Sequence, residues 1–283
     1  MIKNQRKWIK RCWTYTKSIN LCLRVFYICI LWVFAKIFGW FFHKIFRKAL
    51  ENTNKEYIFN TNFWKFLCWD FDSYLHINEN YEPEIQKVIN DIVSKNWKDK
   101  NSYFINIGCH IWFYAILLAN KFWCNVIWFE PNPRTFYYLR CNVSLSNLDD
   151  KIQLYNIWLW NQNSKLKFAT WIGCSWMAHI INDISNEKQH NLWKIIDINV
   201  KKFDDLWIDK DKIDKTRLII IDVEWFELNV LKWMENTLKK LHNCNIIIEI
   251  RKDNINKKKT LDLMESLGFS PSQIDDDNRL FKK

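Results

Sequence analysis

The stretch IIIDVEWFELNVLKW, Ile219–Trp233, decides the fold. Three consecutive isoleucines leading into Asp222 have the unbroken apolar character of a strand buried on both faces, the kind found in parallel sheets. Beyond the hinge, Phe226, Val230, Leu231, Met234 and Leu238 recur at helical spacing on one face. A buried strand therefore runs straight into an amphipathic helix. The hinge between them carries Trp225, where a tight turn normally asks for glycine.

Working outward, the same alternation repeats. SYFINIG (102–108) reads as a buried strand and FYAILLANKF (113–122) as a helix. NVIWFE (125–130) is the next strand, followed by a helix from Pro133 to about Val143. KIQLYNI (151–157), KLKFAT (165–170), DINVKKFDDL (197–206) and NCNIIIEI (243–250) read as further strands. A helix near Lys257–Leu267 and a terminal strand pair follow. Upstream, residues 57–93 read as short strands and then a helix starting near Glu82-Pro83, where proline is tolerated. Such alternation predicts an α/β fold with a mostly parallel, doubly wound sheet.

In that architecture ligands bind at the carboxyl ends of the strands. The residues to watch are Asn106–Trp112, Glu130–Asn132, Asn156–Trp160 and Asp222–Trp225. Gly108 stands where a turn lets backbone approach a ligand at a helix N-terminus. Glu130, about twenty residues further on at the end of the next strand, is placed to accept both hydroxyls of a ribose. A solvated turn carboxylate is the plainer reading of the same residue.

Charge separates the chain into two parts. Residues 1–50 hold eleven of the 42 Lys/Arg and none of the 31 Asp/Glu, so the remaining residues carry 31 of each. A neutral body lacks the electrostatic footprint of a nucleic-acid binder. Leu21–Phe42 is strongly apolar, yet Arg24 and Lys36 interrupt it and leave too short a core for an unaided span. The basic flanks suit a helix lying on an anionic membrane surface; a helix packed on the domain or on a partner gives a similar pattern. We therefore divide the chain into a basic, apolar helical segment (1–55) and a catalytic domain (56–283), and expect a cytoplasmic protein held at the inner membrane face. The nine cysteines form no C-x-x-C pair and no zinc-like spacing.

Four ordered segments, FINIGCHIWFYAILLA, VIWFEPNPRTF, VKKFDDL and IIIDVEWFELNVLKW, resemble the motifs of the FkbM family of S-adenosylmethionine-dependent methyltransferases. The likeness runs from about Tyr57 to Phe281. It implies a class I methyltransferase-like, seven-stranded sheet, S-adenosylmethionine as cofactor, and a hydroxyl of a sugar, glycan or small metabolite as acceptor. Carried over by position, Asn106, Gly108, His110 and Trp112 fall on the cofactor turn and Glu130 on the ribose-binding acid, with Asn132 and Asn156 at neighbouring strand ends. Asp222 and Glu224 fall on the acidic pair at the cofactor–acceptor junction, and either could take the acceptor's proton. Asn106 replaces the family's Asp, so a charge is missing there.

The other departures share one form. Trp112, Trp225 and Trp233 occupy family glycine positions, and Trp128 a small-residue position. The chain has only 4 Gly but 18 Trp. Together these match the roughly twenty glycines that an average usage of about 7% gives a chain this long. Tryptophan also stands at turns in NKFWCN (120–125) and LWNQN (159–163). The pattern is that of UGA codons translated as Trp where the source reads Gly. A Trp-rich, catalytically inactive methyltransferase-fold binding protein is the rival reading. A nicotinamide-dependent oxidoreductase is disfavoured, because no G-x-G-x-x-G pattern is present.

Overall fold

The structure, a computed structural model, describes residues 57–60, 65–68, 82–96, 101–108, 113–171, 174–181, 193–223 and 225–283, with positions 23, 26, 27, 30, 31 and 45 nearer the N-terminus. The chain divides into two compact units, Met1–Tyr81 with Lys167–Ile196, and Glu82–Leu166 with Asp197–Lys283.

In the first unit, β1 (Tyr57–Asn60) and β2 (Lys65–Cys68) pair antiparallel, with Tyr57 opposite Cys68. Strands β7 (Ser164–Trp171) and β8 (Cys174–Ile180) also pair antiparallel, with Phe168 opposite Ile180. Strand β8 carries no clean alternation of apolar and polar residues and went unread in the sequence. Of the N-terminal positions, Leu23, Phe26, Tyr27 and Ile30 are helical and exposed by 59, 49, 52 and 37%. Their i, i+3, i+4, i+7 spacing places all four on one helix face. Among the described residues, no helix is long and apolar enough to cross a membrane.

The second unit holds the sheet that the sequence predicts. Its order is β12-β13-β11-β10-β3-β4-β5. Strands β3 (Tyr103–Ile107), β4 (Asn125–Phe129), β5 (Ile152–Tyr155), β10 (Thr216–Ile221) and β11 (Asn245–Glu249) run parallel. The edge is completed by β12 (Ser270–Gln273) and β13 (Asn278–Lys282), with β13 antiparallel to β11. Phe104, Ile105, Val126, Ile127, Ile219, Ile221, Ile246 and Ile248 are each at most 1% exposed, which explains why these strands read as continuous apolar runs.

The connecting helices are α1 (Pro83–Asn96), α2 (Phe113–Phe122), α3 (Pro133–Leu145) and α4 (Lys210–Asp214). They are followed by α5 (Glu227–Trp233), α6 (Glu235–Lys240) and α7 (Lys257–Ser266). Helix α3 starts as its sequence dictates: the Asn132 side chain accepts from Arg134 N at 3.0 Å and Pro133 fills the first turn. The helix expected after Trp225 is broken at Met234 (φ −118°) into α5 and α6. Asp204, in a 3-10 turn at Phe203–Asp205, accounts for the break. Its carboxylate accepts from Asn236 N (3.1 Å), Thr237 N (3.1 Å) and Thr237 Oγ1 (2.7 Å), satisfying the fresh helix start. The apolar stripe survives, with Val230, Leu231, Met234 and Leu238 all fully buried.

Candidate active site

Leaving β3, the chain winds one way to β4 and β5; after β6 (Trp158–Leu159), β7, β8 and β9 (Trp193–Lys201) it returns to β10 on the other side of β3 and proceeds to β11. The edge between β3 and β10 is thus the topological switch point, where open parallel sheets bind ligands. Gly108 leaves β3 with φ +83°, and its N–H donates to Phe129 O at 3.3 Å. Asp222 leaves β10 beside it, its N–H donating to Ile107 O at 3.0 Å. A Cβ on Gly108 would stand 2.2 Å from Asp222 O and 2.6 Å from Val223 Cγ1, so no other residue fits this turn.

Glu130 ends β4 and is 4% exposed. Its Oε1 accepts from Asn132 N at 2.8 Å. Burial pushes its carboxyl up to about 8, against a smaller opposing pull from the Asn132 backbone hydrogen bond. Asn156, at the end of β5, donates its side-chain N–H to Glu130 O (2.8 Å) and to Pro131 O (3.1 Å). Asn132 and Asn156 thus brace the Glu130–Asn132 loop from both sides. They hold the carboxylate in place.

Asn106, inside β3, is fully buried, and neither amide atom has a hydrogen-bond partner among the described residues. Leaving an amide buried and unbonded costs on the order of 2 kcal/mol or more. A buried amide in this state calls for a partner, and a ligand at the strand end is one group that could supply it. Three expected site residues, His110, Trp112 and Glu224, lie outside the described residues.

Sequence reasoning missed Glu249. It is the last residue of β11, directly beside Asp222, and its side chain hydrogen-bonds that of Asp222. Burial raises its carboxyl above the usual range, and the Arg251 guanidinium opposes the shift. The signal was available: a carboxylate ending a buried strand next to the one that ends at Asp222.

The tryptophans divide by backbone. Trp225 has φ +81° and is 42% exposed, with its N–H donating to Glu227 Oε1 at 3.0 Å and Arg251 Cζ 5.4 Å from its ring centre. Trp123, just past the end of α2, has φ +56° and is 61% exposed. Left-handed backbone costs a bulky L-residue roughly 1–2 kcal/mol and is glycine's usual place at helix ends. Gly268 fills that role after α7, with φ +85°. Trp233, by contrast, is helical and its ring lies 4.9 Å from that of Trp160, so its backbone makes no demand for glycine. Trp128 is fully buried in β4, and its indole N–H has no acceptor among the described residues.

A hollow of about 820 Å³ lies elsewhere, bordered by Phe203, Leu206, Lys210, Asp214, Thr237 and His242. Asp214 and His242 precede β10 and β11, so it opens at the amino ends of the strands, away from the switch point.

This strand order, with a glycine turn after β3 and an acid ending β4, defines a class I, Rossmann-like methyltransferase. The sequence matches the methyltransferase FkbM domain over residues 102–271, and the chain belongs to that family. It is an S-adenosylmethionine-dependent methyltransferase. No curated protein matches it in sequence. Among solved structures, M. jannaschii TYW2 in complex with AdoMet is 12% identical, with 81% of this chain and 86% of that one covered and a TM-score of 0.42. The N-terminal domain of human METTL16 in complex with SAH is 13% identical (70% and 67% covered, TM-score 0.39). The precorrin-6y C5,15-methyltransferase of Geobacter metallireducens is 11% identical (69% and 86% covered, TM-score 0.40).

The residues present fit the cofactor. Glu130 offers a buried carboxylate that takes a single backbone donor, Asn132 N, among the described residues; Gly108 keeps the turn free of a side chain, and Asn106 presents an amide with no hydrogen-bond partner among the described residues. When bound, S-adenosylmethionine supplies an electrophilic methyl group.

Proposed function

We propose that the chain methylates a hydroxyl of a sugar, glycan or small metabolite, with Glu130 receiving the cofactor's ribose and Asp222 and Glu224 at the acceptor side. The observation that carries this reading is the carboxylate at the switch point. Asp222 sits against the Gly108 turn, where an acceptor must meet the transferable methyl group. A hydroxyl is a weak nucleophile, and a carboxylate that accepts its proton as the oxygen attacks is the group that such an acceptor needs. Positioning supplies much of the remaining rate enhancement in an in-line displacement.

The test is incubation with methyl-labelled S-adenosylmethionine and a panel of monosaccharides, oligosaccharides and hydroxylated metabolites, with products resolved by mass spectrometry. Label in an ether linkage supports the reading. Label on nitrogen or carbon overturns the hydroxyl assignment. Cofactor binding with no transfer to any acceptor points to the inactive binding protein.

The N-terminal segment gives this enzyme a second property in the same reading: attachment to the anionic inner face of the cytoplasmic membrane. The exposed Leu23, Phe26, Tyr27 and Ile30 stripe supports it, because these apolar side chains lie within a segment that carries eleven cations and no anions.

A further inference from the structure

Strands β10 and β11 run in parallel register, with Ile221 beside Ile248, so Asp222 and Glu249 stand side by side at the carboxyl edge. A hydrogen bond links their side chains. Two carboxyl groups bonded in this way hold a proton between them. The sheet does not need this link, because ladder hydrogen bonds already join β10 to β11. Both residues are only partly buried.

The same face carries a second sign of a ligand. Asn106 is in register with Ile220, two residues before Asp222, so the pleat puts Asn106 and Asp222 on one face of adjacent strands. Asn106 is a fully buried amide with no hydrogen-bond partner among the described residues. The face of β3, β10 and β11 that meets the Gly108 turn therefore presents Asn106, Asp222 and Glu249 together. The charged groups around Glu249 are Asp222, Arg251, Asp275 and Asp277. Arg251, with Nε 3.7 Å from Asp253 Oδ1 and Cζ 5.4 Å from the Trp225 ring centre, is the strongest charged neighbour of Glu249, and Asp222 is its hydrogen-bonding neighbour.

We propose that Glu249, working as a pair with Asp222, is the base that takes the proton from the methyl acceptor; this rests on the methyltransferase reading of the site. In the step, the acceptor oxygen bonds to the methyl carbon and the carbon–sulfur bond breaks with its electron pair going to sulfur. The acceptor's proton passes to the carboxyl pair and then to water. Burial, which raises the Glu249 carboxyl, brings it nearer the proton affinity suited to a base at neutral pH.

The test reads binding and needs no known acceptor. Sinefungin carries a cationic amine where S-adenosylmethionine carries its methyl group, whereas S-adenosylhomocysteine carries nothing there. If Glu249 faces the transferable methyl, the protein prefers sinefungin, and Glu249→Gln lowers the sinefungin-to-S-adenosylhomocysteine preference about tenfold. Glu249→Asp, which keeps the charge, restores part of it. Calorimetry is done on the full chain and on the full chain with Trp112→Gly and Trp225→Gly. An unchanged preference in Glu249→Gln with intact S-adenosylhomocysteine binding overturns the assignment of Glu249 alone. Absence of binding by both compounds in both backgrounds overturns the methyltransferase reading beneath it.

Discussion

Gly108 and Asp222 touch through a missing side chain: the place a Cβ would occupy on Gly108 lies 2.2 Å from the Asp222 carbonyl oxygen. The turn after β3 and the end of β10 are therefore set against each other by backbone alone. Gly108→Ala would force them apart and would also place a side chain at φ +83°. We expect a loss of about 3 kcal/mol or more in denaturant unfolding, with loss of S-adenosylhomocysteine binding by calorimetry. A variant of wild-type stability would show that the turn re-forms elsewhere.

Glu130 ties stability to pH. Its carboxyl keeps a proton in the fold up to about pH 8, whereas the unfolded chain releases it near 4.5. Between those values the folded state binds more protons, so this group's stabilisation is complete at low pH and is lost as pH rises toward 8. Glu130→Gln should flatten that slope in thermal melts across the window. Ribose hydroxyls donate to the ionised form, so cofactor binding should release a proton and tighten with pH through the same range. Calorimetry in buffers of different ionisation enthalpy reads this release directly. Glu130→Gln should also weaken cofactor binding about tenfold or more.

The left-handed tryptophans predict a gain on replacement. Trp123→Gly removes roughly 1–2 kcal/mol of backbone strain, offset in part by about 0.5–1 kcal/mol of chain entropy. A net stabilisation of about 1 kcal/mol should move the denaturant midpoint upward. Trp225→Gly should behave alike, less the contribution of the Arg251–ring contact. Trp233→Gly, in a helical position with its ring packed 4.9 Å from that of Trp160, should be destabilising. Peptide mass spectrometry of material from the source organism decides the codon question: Trp at both 123 and 225 would end the glycine reading.

The N-terminal stripe is checked with vesicles. The full chain should sediment with liposomes containing phosphatidylglycerol, release as salt is raised, and ignore neutral liposomes. Phe26→Glu with Ile30→Glu should weaken sedimentation about tenfold or more, since it removes buried apolar area and adds two like charges to an anionic surface. Equal binding to neutral liposomes would argue against the electrostatic part.

Sheet strands buried on both faces announced themselves. The isoleucines of IIIDV and the apolar residues around Asn106 in FINIG have the character of strands buried on both faces, and α2 was read to its observed bounds, Phe113–Phe122. The break at Met234 was hidden because the apolar stripe runs through it unbroken; the cause is Asp204, some thirty positions away in sequence, and periodicity does not register a distant cap. The candidate positions along β3, β4 and β10 were legible because single residues end those strands. Glu249 escaped because its meaning comes from register with Asp222 across a parallel pairing that no local spacing encodes. Asn132 and Asn156 read as cofactor ligands by position, and what the structure shows is that they hold the Glu130 loop.

Helices α2 and α7 end alike, in a left-handed residue that reads Trp123 in one case and Gly268 in the other. The two ends form a bilingual inscription, one meaning written in two spellings. A gene translated under competing genetic codes yields rival proteins, and backbone dihedral angles can rank those rivals position by position. The fold thereby becomes a means of deciphering the code in which its own gene was written.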